Sequence, residues 1–399
     1  MLISIIMFHL INKVIRSLLL ILGFVAWFQW ALSSHSNRLE ELSVVTVDPD
    51  FELNGVGSNV DSIAFWEAPD PNETFMFITA KENSLIEVWQ FPFVNNEKSP
   101  LTHSSFGSSP VNGVFVEQNV DQLYVSVGEP ASTVSLFSLP NQTFSDGFIN
   151  GAVNLHSEPN LALLNHTNRE RWAYVSADEI VFILHAATGT KIGEFTPLWD
   201  VETMVADDYH QVIYIPDEND MNGVFAYQPD GTPYQQNGTN NFGNNGIFQS
   251  DAEGIIIYAC RFNGIDYGSG FIAVADQKRD LSDFEFFDRQ SWEHLGTLNL
   301  TGVSNTDGLG TSQQAMTGYP EGILTAINND SSAVGVGWDK VLNAMGLSCQ
   351  LPLALKIKSF ISQNVSVSIA FLISFIFLGT MTSVLILIRF VKVKLKIKT

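Results

Sequence analysis

The sequence predicts an all-β chain, a six-bladed β-propeller, followed by one C-terminal transmembrane helix. Three observations carry that prediction. Residues 40–350 alternate short β-branched and aromatic runs with Gly, Asn, Asp and Pro, and no part of them reads as a long amphipathic helix. A polar residue followed by a small or apolar run recurs along the same stretch at near-regular intervals. Val365–Ile388 is a run of 24 residues without a charge, long enough at about 1.5 Å per residue to cross a hydrocarbon core of roughly 30 Å.

The two ends set the compartment. Lys13 and Arg16 precede an apolar stretch, Leu18–Leu32, and Ala31 and Ser33 offer small residues for a cut. Residues 1–33 therefore read as a signal peptide or an uncleaved signal anchor. After a juxtamembrane linker, 351–364, and the span 365–388, the tail 389–399 carries Arg389, Lys392, Lys394, Lys396 and Lys398. Such a cluster marks the cytoplasmic side and argues against a GPI signal, which ends in its hydrophobic tail. The chain reads as a single-pass membrane protein whose ectodomain, 40–350, lies in the lumen or outside the cell. N-x-S/T sequons at Asn72, Asn141, Asn165, Asn237, Asn299, Asn329 and Asn364 fit a glycoprotein there. With two cysteines, Cys260 and Cys349, at most one intramolecular disulfide is available, so the fold must rest on its core.

Charge narrows the function classes. All 42 acidic residues and only 10 of the 20 Lys and Arg lie within 39–350, a formal charge of −32. Nucleic acid is excluded as a partner, because it needs the opposite sign. Clustered acids invite cations, whereas dispersed ones merely solvate a surface. No G-x-S-x-G elbow and no H-E-x-x-H pair occurs, and the eight His have no ligand spacing.

The strand runs include Phe75–Thr79, Leu85–Phe91, Gln122–Val127, Thr133–Leu139, Trp172–Ser176, Val212–Ile215, Gly254–Tyr258 and Phe271–Ala275. Ahead of each group stands a similar motif: V-D-S-I-A-F at Val60, V-N-G-V-F-V at Val111, V-E-T-M-V-A-D at Val201, A-E-G-I-I-I-Y at Ala252 and T-D-G-L-G at Thr306. Their polar residues, Asp61, Asn112, Glu202, Glu253 and Asp307, lie 51, 90, 51 and 54 positions apart, and P-N-L-A-L-L at Pro159 fills the long gap. Six units of this length suit four-stranded blades. Equivalent positions on the innermost strands then converge on one end of the central channel. Carboxylates so close repel unless they hold cations or protons, and an all-oxygen donor set favours Ca²⁺. Taken singly, each residue is an ordinary turn former at a strand start; the recurrence is what points to a ring.

These residues also resemble the β-propeller phytases, six-bladed, calcium-dependent phosphomonoesterases that remove phosphate from inositol hexakisphosphate. The resemblance spans roughly 45–345. It is clearest in V-E-T-M-V-A-D-D-Y-H-Q-V-I-Y-I-P-D-E (Val201–Glu218) and D-A-E-G-I-I-I-Y (Asp251–Tyr258), with support from F-D-R-Q (Phe287–Gln290), S-N-T-D-G (Ser304–Gly308), V-D-S-I-A-F-W (Val60–Trp66) and T-A-K-E-N-S-L (Thr79–Leu85). The resemblance implies calcium ligands at Asp61, Glu202, Asp217, Glu218, Asp251, Glu253 and Asp307. It implies Lys81, Glu202 and Glu253 in catalysis, and Lys81 at the substrate, where Arg261 is a further candidate.

The basic side of the family pattern is thinner here. Its second lysine after Lys81 is Glu82, the arginine of its second blade falls on Val114 or Phe115, and the lysine of its third blade falls on Ala177 or Asp178. Near the end an acid is replaced by Asn328. The sequence therefore supports two functions. One is a monomeric phosphomonoesterase acting on phytate, another inositol phosphate or a different phosphorylated small molecule. The other is a catalytically degenerate, calcium-stabilised propeller serving as a surface or luminal binding module.

Overall fold

A computed structural model describes residues 44–355, apart from 56, 92–100, 104–105, 146–152, 154, 156–157, 169, 198, 219–221, 245 and 353–354. The N-terminal apolar segment, the span 365–388 and the basic tail lie outside the described residues. Among the described residues no helix is long and apolar enough to cross a membrane.

The chain enters through β1 (Val44–Val47) and β2 (Phe51–Asn54) and then builds blades in sequence order. Blade 1 holds β3 (Val60–Trp66), β4 (Phe75–Ala80), β5 (Leu85–Gln90) and β6 (Leu101–His103). Blade 2 holds β7 (Val111–Glu117), β8 (Gln122–Val127), β9 (Thr133–Ser138) and β10 (Thr143–Ser145). Blade 3 holds β11 (Leu161–Asn165), β12 (Arg171–Ala177), β13 (Ile180–His185) and β14 (Lys191–Phe195). Blade 4 holds β15 (Val205–Asp207), β16 (Val212–Pro216), β17 (Val224–Tyr227) and β18 (Asn241–Phe242).

Blade 5 holds β19 (Asp251–Phe262), β20 (Ile265–Gln277), β21 (Asp283–Asp288) and β22 (His294–Leu300), with β1 added in parallel to its outer edge. Blade 6 takes β23 (Leu309–Ser312), β24 (Ile323–Asn328) and β25 (Ser332–Gly337) from the C-terminal side, and β2 from the N-terminal side as its fourth strand. The innermost strands β3, β7, β11, β15, β19 and β23 touch in that order and β23 returns to β3, so the ring is closed. This is the six-bladed all-β propeller expected from the sequence. The unit with the weakest motif is blade 3, whose first strand begins directly after Asn160.

Apolar packing lies between blades rather than at the centre. Trp66, Phe77, Val114 and Val125 join blades 1 and 2; Tyr124, Leu161 and Val175 join 2 and 3; Leu164, Tyr174 and Ile213 join 3 and 4. Phe242, Phe248 and Phe287 join blades 4 and 5, and Phe65, Met76 and Ile327 join 6 and 1. Between blades 5 and 6 the fully buried Trp338 packs on Tyr258 with ring centres 4.6 Å apart and donates its indole N–H to Thr311. Trp338 begins the short helix α1 (Trp338–Met345), which ends at Gly346 with φ +66°, the left-handed cap that glycine adopts without cost.

Past α1, Cys349 is bonded to Cys260 near the end of β19, with Cα atoms 5.5 Å apart and 89 positions between them in sequence. A cross-link over so long a loop restricts the unfolded chain strongly. Replacing both cysteines with serine is expected to cost about 2–4 kcal/mol, read as a lower urea midpoint with a steeper slope, because the freed unfolded chain exposes more surface. An unchanged midpoint would show that the bond contributes nothing.

Candidate metal centre

Each innermost strand starts at the same end of the channel, here the upper end, and the motif residue stands at or just before that start. In β3, β7 and β19 the ladder to the next strand breaks between Val60 and Ile63, Val111 and Val114, and Ala252 and Ile255. Asp61, Asn112 and Glu253 fall inside those bulges, which free a residue from the pleat and re-aim its side chain. Glycine follows Asn112, Glu253 and Asp307 because the neighbouring strand comes too close for a side chain. The N–H of Gly254 donates to the Asp307 carbonyl at 2.7 Å, and a Cβ on Gly308 would lie 1.8 Å from the Asp61 carbonyl oxygen. Gly308→Ala must therefore part blades 6 and 1 at the mouth, with an expected loss of about 1–3 kcal/mol. Gly193→Ala, whose Cβ would meet only Ile183 at 3.6 Å, is the neutral control; equal melting curves for the two variants would refute the close approach.

Asp61, Glu202, Glu253 and Asp307 line the upper part of a channel cavity of about 340 Å³. Carboxylate oxygens of Glu202, Glu218 and Glu253 lie within 4.8 Å of one another. Glu218 and Glu253 are buried, whereas Glu202 opens to the mouth. Burial raises Asp61 to about 6, against the pull of Lys81. Glu202 rises to about 7 through partial desolvation and then Glu158. Asp307 rises to about 8 through burial, Asp61 and Asp330. Glu218 rises to about 11 through burial and then Glu253, and Glu253 rises well above its ordinary range through burial and then Asp307. Burial first, and then too many acids for the counter-charges present, give every one of these shifts the same sign.

Lys81, in the turn between β4 and β5, supplies a positive charge here. Its Nζ lies 2.5 Å from Glu158 and 3.6 Å from Asp61, with the side chain 11% exposed. Burial lowers its pKa, but Asp61 and Glu158 more than offset that and hold the ammonium firmly charged. Among the described residues it is the base that forms an ion pair with the cluster. Glu158, Asp330 and Gln277, which donates to Asp307, are members of the site that sequence reading missed. Glu158 stands directly before the weak P-N-L motif and Asp330 within the N-N-D-S turn, so position was the only signal available.

Of the remaining candidates, Asp251 stands close enough to Glu253 to raise it further, and Asp217 directly precedes Glu218. Asp217, buried at the end of β16, accepts from Asn222 at 3.0 Å. Asp251, at the start of β19, is raised by burial and then by Asp276. Neither lines the channel cavity. Arg261 does, but at the lower end, eight residues along β19 from Glu253. At about 3.3 Å per residue the two are some 26 Å apart along the strand, so Arg261 and Lys81 face opposite mouths. A second acidic group, Asp276, Asp283 and Glu285, is already satisfied. Asp276 accepts the N–H groups of Gln249 and Ser250, Lys278 bridges Asp276 and Asp283, and Glu285 accepts from Thr297 at 2.8 Å and lies 2.6 Å from His294.

The lower end is locked by charge. Arg289, 3% exposed, grips buried Asp207 through Nε and Nη2 at 2.7 and 2.6 Å and Asp266 through Nη1 and Nη2 at 3.0 and 2.9 Å. Burial works against the Asp207 charge, but hydrogen bonds from His210 and Arg289 hold its pKa far below the carboxylate range. The arginine of the F-D-R-Q segment thus fastens blade 5 to blade 4.

No protein-family model matches the chain. No curated protein matches it either. Among solved structures, a chain from "Crystal Structure of Mitotic Checkpoint Complex" aligns at a TM-score of 0.45 and 11% identity, covering 75% of this chain and 98% of that one. So distant a likeness carries nothing about function, and the blade order itself establishes the propeller.

Among the described residues, buried Glu218 Oε1 has no hydrogen-bond partner, a costly condition for a carboxylate. It stands within reach of two further carboxylates and no sulfur or imidazole ligand. An all-oxygen group of this kind suits a hard divalent cation.

Proposed function

We propose that the upper mouth is a calcium centre and that the protein is a calcium-dependent phosphomonoesterase of the phytase type, acting outside the cytoplasm on a phosphorylated small molecule. The observation that carries this reading is the orphaned Glu218 oxygen beside Glu202 and Glu253, in a mouth that Asp61 and Asp307 complete from neighbouring blades. These five carboxylates would hold the ions. Bound calcium would supply phosphate binding and a more acidic bound water as nucleophile. Lys81, already charged and tethered by Glu158, is placed to turn its ammonium toward a phosphate oxygen and to offset charge that develops on it. Glu202, the most open of the acids, is placed to accept a proton from solvent.

A second reading has its own observation. Lys81 is the base paired with this mouth, and two acids already occupy it. Each missing charge-assisted phosphate contact costs on the order of 1.5–3 kcal/mol, which favours a calcium-bound propeller that binds without turnover.

Phosphate release by the full chain in detergent, from phytate and from smaller phosphomonoesters, separates them. Calcium-dependent release that EGTA abolishes, and that Glu253→Gln lowers at least 100-fold, is expected of the enzyme. Undiminished calcium binding with no release from any ester would establish the binding module instead.

A further inference from the structure

Cys349 follows α1 and is bonded to Cys260, so the chain leaves the propeller at the lower end of β19. Glu253 and Cys260 are seven residues apart on that strand, about 23 Å at ~3.3 Å per residue. The exit point and the acidic mouth therefore lie at opposite ends of the channel. The uncharged run beginning at Val365 starts only 16 residues after Cys349, a reach of at most about 55 Å.

β19 and β20 also run on beyond the other inner strands. From Glu253 the hairpin continues to a turn at Asn263 and Gly264, with φ +52° and +76°, whereas β3 ends five residues after Asp61. At this tip Ile265 is 72% exposed, the most open large apolar side chain of the described residues. Phe262 is its cross-strand partner and exposed Arg261 precedes it. Tyr209, 52% exposed, lies against Gly268 on the same hairpin. An apolar tip flanked by a cation is the composition that settles at a headgroup boundary. Among the described residues the upper end offers no apolar side chain as open as Ile265.

We propose that the hairpin tip rests on the bilayer that holds residues 365–388, with Ile265 and Phe262 at the acyl boundary and Arg261 among the phosphates, so that the acidic mouth opens away from the membrane. The proposal rests on the reading of 365–388 as a membrane span and deepens the reading of the mouth. A mouth so placed draws its substrate from solution, a soluble phosphate ester rather than the headgroup of a lipid in the same membrane.

Both native cysteines are spent in the disulfide, so a single added thiol can carry a nitroxide label. Ile265→Cys at the tip and Leu281→Cys, an exposed apolar position at the upper end, are made in the full chain and reconstituted in nanodiscs of zwitterionic phospholipid. The expected result is a label at 265 more accessible to oxygen than to a nickel chelate, and the reverse at 281. Two aqueous labels on protein that co-elutes with the nanodiscs would overturn the docking while leaving the anchor intact. Protein that never enters nanodiscs would overturn both.

Discussion

Chelating divalent cations at pH 8 is expected to lower the melting temperature by several degrees, and acidifying the chelated protein to pH 5 to restore most of the loss. At 100 times its dissociation constant, each bound ion contributes about 2.7 kcal/mol, and a domain of this size shifts by roughly 1.5 °C per kcal/mol. The pH arm follows from the carboxylates. Asp61, Glu202 and Asp307 stand at about 6, 7 and 8 in the folded protein, above their values in the unfolded chain. A group raised on folding contributes stability that is fully present below its unfolded pKa and is lost as pH rises through its folded pKa. Without cations, stability therefore declines between about pH 4 and 8. With calcium the order reverses, because the ligands must be ionised to bind. Thermal melts at pH 5, 6.5 and 8, with calcium and after chelation, test this; chelated protein equally stable at pH 5 and 8 would rule out the crowded mouth.

Arg289→Met is expected to cost about 3–5 kcal/mol, since it strips the buried Asp207 carboxylate of its guanidinium and leaves it only the hydrogen bonds from Tyr209 and His210. Arg289→Lys should recover only part of the loss, because an ammonium cannot grip two carboxylates at once. Arg289→Met combined with Asp207→Asn should be milder than the sum of the single changes. The pair's pH dependence has the opposite sign to that of the mouth. Asp207 is depressed on folding, so its contribution holds above the ordinary carboxylate range and fails only in strong acid. Urea unfolding of the three variants at pH 7 measures this, and a loss under 1 kcal/mol for Arg289→Met would mean that Asp207 finds water or another partner.

The fold was legible because its repeat has a physical cause that shows in residue types. A strand that lines a channel and is pinched by its neighbours needs a polar residue, then a small one, then an apolar run, and D-S, N-G, E-G and D-G all satisfy that. Asn160 was faint because it lacks both the charge and the glycine. Glu158 and Asp330 were hidden for a different reason. They reach the mouth from connecting turns, and which turn approaches which depends on ring closure rather than on local pattern. Residue type alone groups Arg261 with Lys81, but direction along β19 separates them. The arginine of F-D-R-Q carried no sign that two buried aspartates would claim it. Two cysteines showed that one bond was possible, and only the position of α1 brings them together.

The closing strand of blade 6 has a consequence for synthesis. Asn54 pairs with Ser332, a partner made 278 residues later. At about 5–20 residues per second that is a wait of roughly 15 to 55 seconds. Throughout it, five blades can form in the order they emerge while β2 holds an unpaired edge and the ring stays open. A nascent chain halted before β25 would present that edge to any passing strand, so the burden of this protein on chaperones falls early in the chain and is relieved only when its sixth blade is made.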